Sequence, residues 1–226
     1  SDSSYTLTLF KEDLPSKIGR PKHMGKTHIG FGFEGDLKDI SLKLLSKTQG
    51  GFESRLLKDT KSDSLHYWFK PETILDSMAF VAKYDNKVDT LNVRIKNLYS
   101  DSLRFNTIST GALTPKDTFK IKANTPIISF NSEKLQIIDK DSLAITAAIG
   151  LDTVYNIAKV MFIPEEEQVY KIKLLPGAFA DFYGATNDTL NYVVATKPIS
   201  NYGTLSISFV NPPKLPIIVQ FVNEQY

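Results

Sequence analysis

One tripeptide recurs along this chain and constrains its fold more than any other feature: Asp, then Ser or Thr, then a large apolar residue, running into alternating apolar and polar positions. Its eight copies begin at Asp63, Asp76, Asp89, Asp101, Asp117, Asp141, Asp152 and Asp188. Asp and Ser/Thr side chains bond nearby backbone groups and so favour turns. The period-2 run that follows puts Leu65, Tyr67 and Phe69, or Leu91, Val93 and Ile95, on one strand face. Each copy therefore predicts a turn feeding a strand. A recurring Asp also raises the alternative of calcium loops, but those crowd several oxygen ligands around a turn glycine, and here each Asp mostly stands alone.

The same alternation predicts strands at Tyr5 to Phe10, His28 to Phe33, Ile40 to Leu45, Ile127 to Phe130, Val160 to Ile163, Val169 to Leu174, Leu205 to Val210 and Ile217 to Val222. The segments between them are too short and too poor in helical periodicity for βαβ crossovers. Short strands at about 8–14-residue spacing point to antiparallel sandwiches. Such domains take roughly 100 residues each, so 226 residues would hold two and a remainder. The turn-rich stretches Thr107 to Pro115 and Lys197 to Gly203 place the boundaries, giving sandwiches over 1–108 and 109–198 and a terminal hairpin over 199–226. A lone hairpin is marginal in water. It is expected to pack on the preceding domain, pair with another chain or belong to a larger molecule, with Ile217 to Val222 as an edge open to a further strand.

The charges narrow the function classes. With 27 Lys+Arg against 25 Asp+Glu, the net charge of +2 lacks the basic footprint expected for nucleic acid or an anionic membrane surface. No run approaches the roughly 18 apolar residues of a membrane-crossing helix, and the polar start Ser1 to Ser4 reads as neither a signal peptide nor a lipidation signal. Zero cysteines exclude disulfides, thiolate metal sites and cysteine nucleophiles. Gly30 to Gly35 matches the spacing of a dinucleotide fingerprint. However, Phe31 and Phe33 alternate with glycine inside what reads as the strand itself, so the glycines are expected to admit a neighbouring backbone or ring. His23, His28 and His66 show no zinc spacing, and no nucleophile elbow occurs. No catalytic residue, cofactor site or metal site is therefore expected.

Trp68 is the single tryptophan, in His66-Tyr67-Trp68-Phe69. Alternation sends His66 and Trp68 to the face opposite Leu65, Tyr67 and Phe69. Trp68 could then be an exposed platform for a sugar ring or partner side chain, or it could pack under a loop or at a domain junction. His66, Tyr67 and Trp68 are the candidate binding residues. The acidic run Pro164 to Gln168 reads as a solvated hairpin tip. Asn211 to Pro216 reads as the connection of the last two strands, with a polyproline ligand as the alternative.

The stretch from Asn124 to Thr196 resembles a bacterial Ig-like domain of the SbsA type. The resemblance is carried by Asn124-Thr125-Pro126-Ile127, by the strand Val169-Tyr170-Lys171-Ile172, and by LPGAFADFYGATNDTLNYVVAT. It implies a short helical turn at Ala178 to Ala180, a capping Asp181 and a positive-φ turn at Gly184. From Asp2 to Glu224 the order of landmarks (DSSYTLTLFKED, IGFGFEGD, SLHYWFKP, KDTFKI with NTPI, NYGTLSISF and PIIVQFVNE) resembles the C-terminal portion of Bacteroidetes Ig-like domain-containing lipoproteins. That resemblance implies an all-β chain of two tandem Ig-like sandwiches, followed by the first hairpin of a truncated prealbumin-like domain. It also implies a non-catalytic part of an outer-membrane lipoprotein, periplasmic or surface-exposed, held to the membrane only through a lipid anchor outside this chain. The implied partner is a protein of the cell envelope; the alternative is a glycan-binding or enzyme-accessory module using exposed aromatics. No active-site residue comes with the family.

Overall fold

The computed structural model describes residues 16–35, 40–48, 50–59, 62–70, 75–109, 112–114, 117–201 and 206–208. The expected strands Tyr5 to Phe10 and Ile217 to Val222, and with them the terminal hairpin and its open edge, lie outside the described residues. So does Asn211 to Pro216. Of Leu205 to Val210, only residues 206–208 are described, and they form no strand.

Eight strands fill the first half of the described chain: β1 (Lys17–Ile18), β2 (Lys22–Gly25), β3 (His28–Glu34), β4 (Ser41–Leu44), β5 (Glu53–Lys58), β6 (Ser64–Lys70), β7 (Ser77–Tyr84) and β8 (Lys87–Arg94). One sheet runs β1-β3-β6-β5, with β2 also paired to β3, and the other runs β4-β7-β8. Taking β1 and β2 as a divided first strand, these are the ABED and CFG sheets of an immunoglobulin constant-type sandwich. The alternation in β6 does what the sequence predicted. Leu65, Tyr67 and Phe69 enter the core at 0%, 6% and 0% exposure, while His66 and Trp68 take the outer face. Phe80 from the facing sheet meets both Phe31 and Tyr67 edge-on, at 5.1 and 5.0 Å between ring centres, an arrangement favoured by the ring quadrupoles.

The second half holds β9 (Phe105–Thr107), β10 (Ala112–Leu113), β11 (Phe119–Ala123), β12 (Ile127–Phe130), β13 (Leu135–Ile138), β14 (Ala148–Asp152), β15 (Ile157–Met161), β16 (Val169–Leu174), β17 (Phe179–Asp181) and β18 (Leu190–Thr196). Its sheets run β9-β11-β15-β14 and β10-β18-β16-β13, again ABED and CFG, with β10 added parallel to the last strand. Tyr170 is 1% exposed, and its hydroxyl accepts from the Glu165 N–H at 2.7 Å, the corner contact typical of this fold. β12 and β17 pair as a separate two-stranded arm. Phe105–Thr107 pairs with β11, so these residues go with the second sandwich although the 1–108 boundary put them in the first.

Several local expectations are corrected by the pairing. Asp63, Asp76, Asp117 and Asp188 do stand just before strands, but Asp89 lies inside β8, where it bonds the Tyr84 hydroxyl. The turn of that hairpin is at Asp85, whose φ of 47° suits a two-residue connection. Asp141 leads only to an isolated bridge between Ile138 and Ala144, because Asp139 captures the Asp141 and Leu143 N–H groups in a closed turn. Val160 to Ile163 is shifted, the strand being Ile157–Met161. Pro164 to Gln168 is exposed at its three glutamates, yet it joins strands of different sheets and is therefore a crossover between sheets, not a hairpin tip. Ala178 to Ala180 is not helical: Phe179 and Ala180 extend in β17 against β12. Asp181 holds the turn as expected, its Oδ1 accepting from Tyr183 and Ala185 N–H while Gly184 takes φ 86°.

Asn156 joins the arm to the sandwich. It is 3% exposed; its Nδ2 donates to the Ala123 and Thr125 carbonyls at 2.9 and 2.7 Å, and its Oδ1 accepts from Ile127 N–H at 2.8 Å. Its φ of 57° is tolerated by Asn but not by Ala. Asn156→Ala would strand three buried polar groups and add backbone strain, so a loss of at least about 3 kcal/mol is expected in urea denaturation. Asn156→Gly should recover only the strain, about 1 kcal/mol of that loss.

Candidate functional site

The outer face of the β3-β6-β5 sheet carries His28, His66, Trp68 and Leu57, because each occupies the strand register opposite the core residues Ile29, Leu65, Tyr67 and Phe69. The second sandwich covers this face with the turn that follows β17. Leu57, Trp68 and Phe182 form a small apolar core of their own, at 9%, 4% and 1% exposure. Tyr183 meets Trp68 edge-on at 6.4 Å, and its hydroxyl bonds Thr27 Oγ1 at 2.8 Å. Lys70 donates to the Phe182 carbonyl at 2.9 Å and, like Arg55, sits over the Phe182 ring. On the far side Lys122 pairs with Asp59 at 2.7 Å, and Lys58 N–H donates to the Val154 carbonyl at 2.8 Å.

Under the second sandwich the His28 ring stacks on Trp68 at 3.7 Å between centres, 9° from parallel. His28 Nε2 and His66 Nδ1 are 2.8 Å apart, so one ring donates and the other, unprotonated at that nitrogen, accepts. Burial, helped by the neighbouring His66 and His23, pushes His28 down to about 3. Burial likewise lowers His66, against a smaller upward pull from Asp59. His66 Nε2 continues to Ser64 Oγ at 3.1 Å, and Asp101 lies 3.9 Å from His28 Nδ1. Tyr183 is pushed up to about 12, chiefly by burial. A cavity of about 170 Å³ remains between the sandwiches, with His28, His66, Trp68, Asp59, Lys122 and Asn156 among its walls. The indole N–H of Trp68 is buried and, among the described residues, has no hydrogen-bond partner.

The three sequence candidates thus divide. His66 and Trp68 meet at the junction, while Tyr67 turns into the core of the first sandwich at 6% exposure. Trp68 at 4% exposure has no open ring face for a sugar, so the exposed-aromatic reading is corrected in favour of packing at a domain junction. Sequence reasoning missed His28, Phe182 and Tyr183. His28 was within reach, since it shares the outer face of its strand with Gly30 and Gly32. Phe182 and Tyr183 sit in a turn, where no periodicity marks a buried face. Among the described residues, no group of three or more His, Cys, Asp or Glu side chains is placed to hold a metal ion.

No family model matches the chain, and no curated protein matches it in sequence. Solved structures of similar arrangement include domains 5–6 of the S-layer protein SbsC, 6% identical over 82% of this chain and 98% of that one, with a TM-score of 0.31. A longer SbsC piece, domains 4–9, is 6% identical over 81% of this chain and 31% of that one, at 0.33. The I9–I11 tandem of titin is 11% identical over 81% and 66%, at 0.24. The fold class rests on the strand pairing within the chain itself, which is that of an all-β protein built from two antiparallel Ig-like sandwiches.

Proposed function

We propose that this chain is a non-catalytic structural and binding part of a protein displayed on the cell envelope, in which two sandwiches form one fixed bracket holding loops and sheet edges toward a protein partner. The observation that carries this reading is the junction. A flexible tether needs no desolvated contact, whereas here Trp68 and Phe182 are withdrawn from water between the sandwiches and ringed by Lys70, Asp59, Lys122 and Tyr183. Apolar burial framed by polar bonds fixes orientation as well as proximity. A binding part that must hold surfaces at set positions benefits from that rigidity.

The place of such a bracket would be an outer-membrane lipoprotein, as the resemblance of the landmark segments implies. Backbone ¹⁵N relaxation is the direct test of the bracket. One rotational correlation time for both sandwiches is expected; two separate times, each fitting a body of half the mass, would overturn it. Display is tested by protease treatment of intact producing cells, where survival of the whole protein would count against it.

A further inference from the structure

The glycines of His28-Ile29-Gly30-Phe31-Gly32-Phe33 leave a feature that the junction does not use. Phe31 and Phe33 point into the first core, so the opposite side of β3 is bare backbone at Gly30 and Gly32. The Met24 side chain fills the space over Gly30, where an added Cβ would lie 2.3 Å from its sulfur. Over Gly32 the space is open: an added Cβ would meet nothing within 4 Å. The result is a groove of about 520 Å³ along the outer face of the sheet, beyond the part that the second sandwich covers.

One wall of this groove is cationic. Lys17, Arg20 and Lys22 line it, all three exposed, and among the described residues none of them is ion-paired. Among the described residues Glu34 is the one carboxylate in the lining, set across from Lys17 in the β1–β3 register. The opposite wall is small and polar, from Ser62 and Ser64 to His66. A glycine inside a strand marks a place where a ligand or another backbone can approach closely. Three cations beside bare backbone and the Met24 thioether complement a chain that offers carboxylates and slender apolar groups together.

We infer that this groove binds an extended acidic peptide segment of a partner protein, its carboxylates meeting Lys17, Arg20 and Lys22 and its backbone lying over Gly32. An acidic polysaccharide shares the charge but would be expected to stack its rings on aromatic faces, and the two phenylalanines of the lining, Phe31 and Phe33, pack on the core instead. The inference deepens the reading of the chain as a partner-binding bracket. It is separable from that reading, since a bracket without an acidic partner would still show one correlation time.

The test uses the whole chain and a fluorescent oligoglutamate peptide spaced with alanine, followed by anisotropy, with an oligolysine peptide and polygalacturonate as comparisons. Saturable binding of the acidic peptide is expected, weakening as salt rises because exposed charges are screened. Arg20→Glu with Lys22→Glu should weaken it about tenfold or more. Gly32→Leu should do the same by filling the groove; the site has room for a side chain and no positive φ, so the fold should hold, as circular dichroism would verify. Gly50→Leu, equally unobstructed but outside the groove, should leave binding unchanged. Absent saturation, equal binding of oligolysine, binding indifferent to Gly32→Leu, or binding of polygalacturonate in place of the peptide would each overturn the inference.

Discussion

Replacing Trp68 with alanine is expected to cost about 3–5 kcal/mol, the range for removing a large buried aromatic side chain, and to release the two sandwiches from each other. Its ring fills the junction at 4% exposure, stacked on His28 on one side and met by Phe182 and Tyr183 on the other. Removing it enlarges a cavity that already measures about 170 Å³ and lies among polar groups, so water is expected to enter and weaken the remaining contacts. Because Trp68 is the chain's sole tryptophan, unfolding of the variant has to be followed by circular dichroism. The expected record is a lower urea midpoint together with two rotational correlation times in place of one. Trp68→Phe should cost much less, since it keeps an aromatic ring in the stack and removes the indole N–H that lacks a partner. If Trp68→Ala unfolds at the wild-type midpoint and still tumbles as one body, the junction is not what holds the bracket.

The second large effect is a loss of stability on mild acidification. His28 titrates at about 3 in the folded chain against 6.5 unfolded, and His66 is shifted in the same direction. Between these values the unfolded chain binds a proton that the folded chain refuses. Stability should therefore fall as pH drops from 6.5 toward about 3, by up to about 1.4 kcal/mol for each pH unit from His28. The refusal has a geometric cause. His28 is buried against Trp68, where a charged ring would lose its hydration, and protonating both imidazoles in full would set two donors face to face across the 2.8 Å contact with His66. The titratable and charged groups near the pair are Asp101, Asp59, Lys122 and His23. Urea midpoints across pH 7 to 4, compared with His28→Phe, separate the contributions. Phenylalanine can keep the stack on Trp68 and cannot titrate, so a flatter profile is expected; an unchanged slope would assign the acid sensitivity elsewhere.

Much of the architecture was legible from residue order because strands leave a period-2 signature and this chain carries it strongly. Leu65, Tyr67 and Phe69 were readable as core, and Trp68 and His66 as their opposites, from alternation alone. Val169–Leu174 was readable to the residue. Failures cluster where a side chain's partner is distant in sequence. Nothing near Asp141 signals that Asp139 will capture its turn, and nothing near Glu165 signals that its strands belong to different sheets.

The candidate site was half legible for the same reason. The sequence placed His66 and Trp68 together on a face but was silent on whether water or protein covers it, because local periodicity records direction and not what lies opposite. The glycines at 30 and 32 were readable as places of close approach; that Met24 fills one and leaves the other open depends on where a preceding strand returns. By itself, then, the sequence determined an all-β chain, the inward and outward faces of its best strands, and the absence of thiol chemistry, since these follow from residue type and spacing. Tertiary structure alone decided that Phe182 would cap Trp68, that two imidazoles 38 residues apart would share one proton position, and that three cations would line one groove. Those outcomes depend on long-range packing, where the free energy of a contact is set by two surfaces brought together from distant parts of the chain.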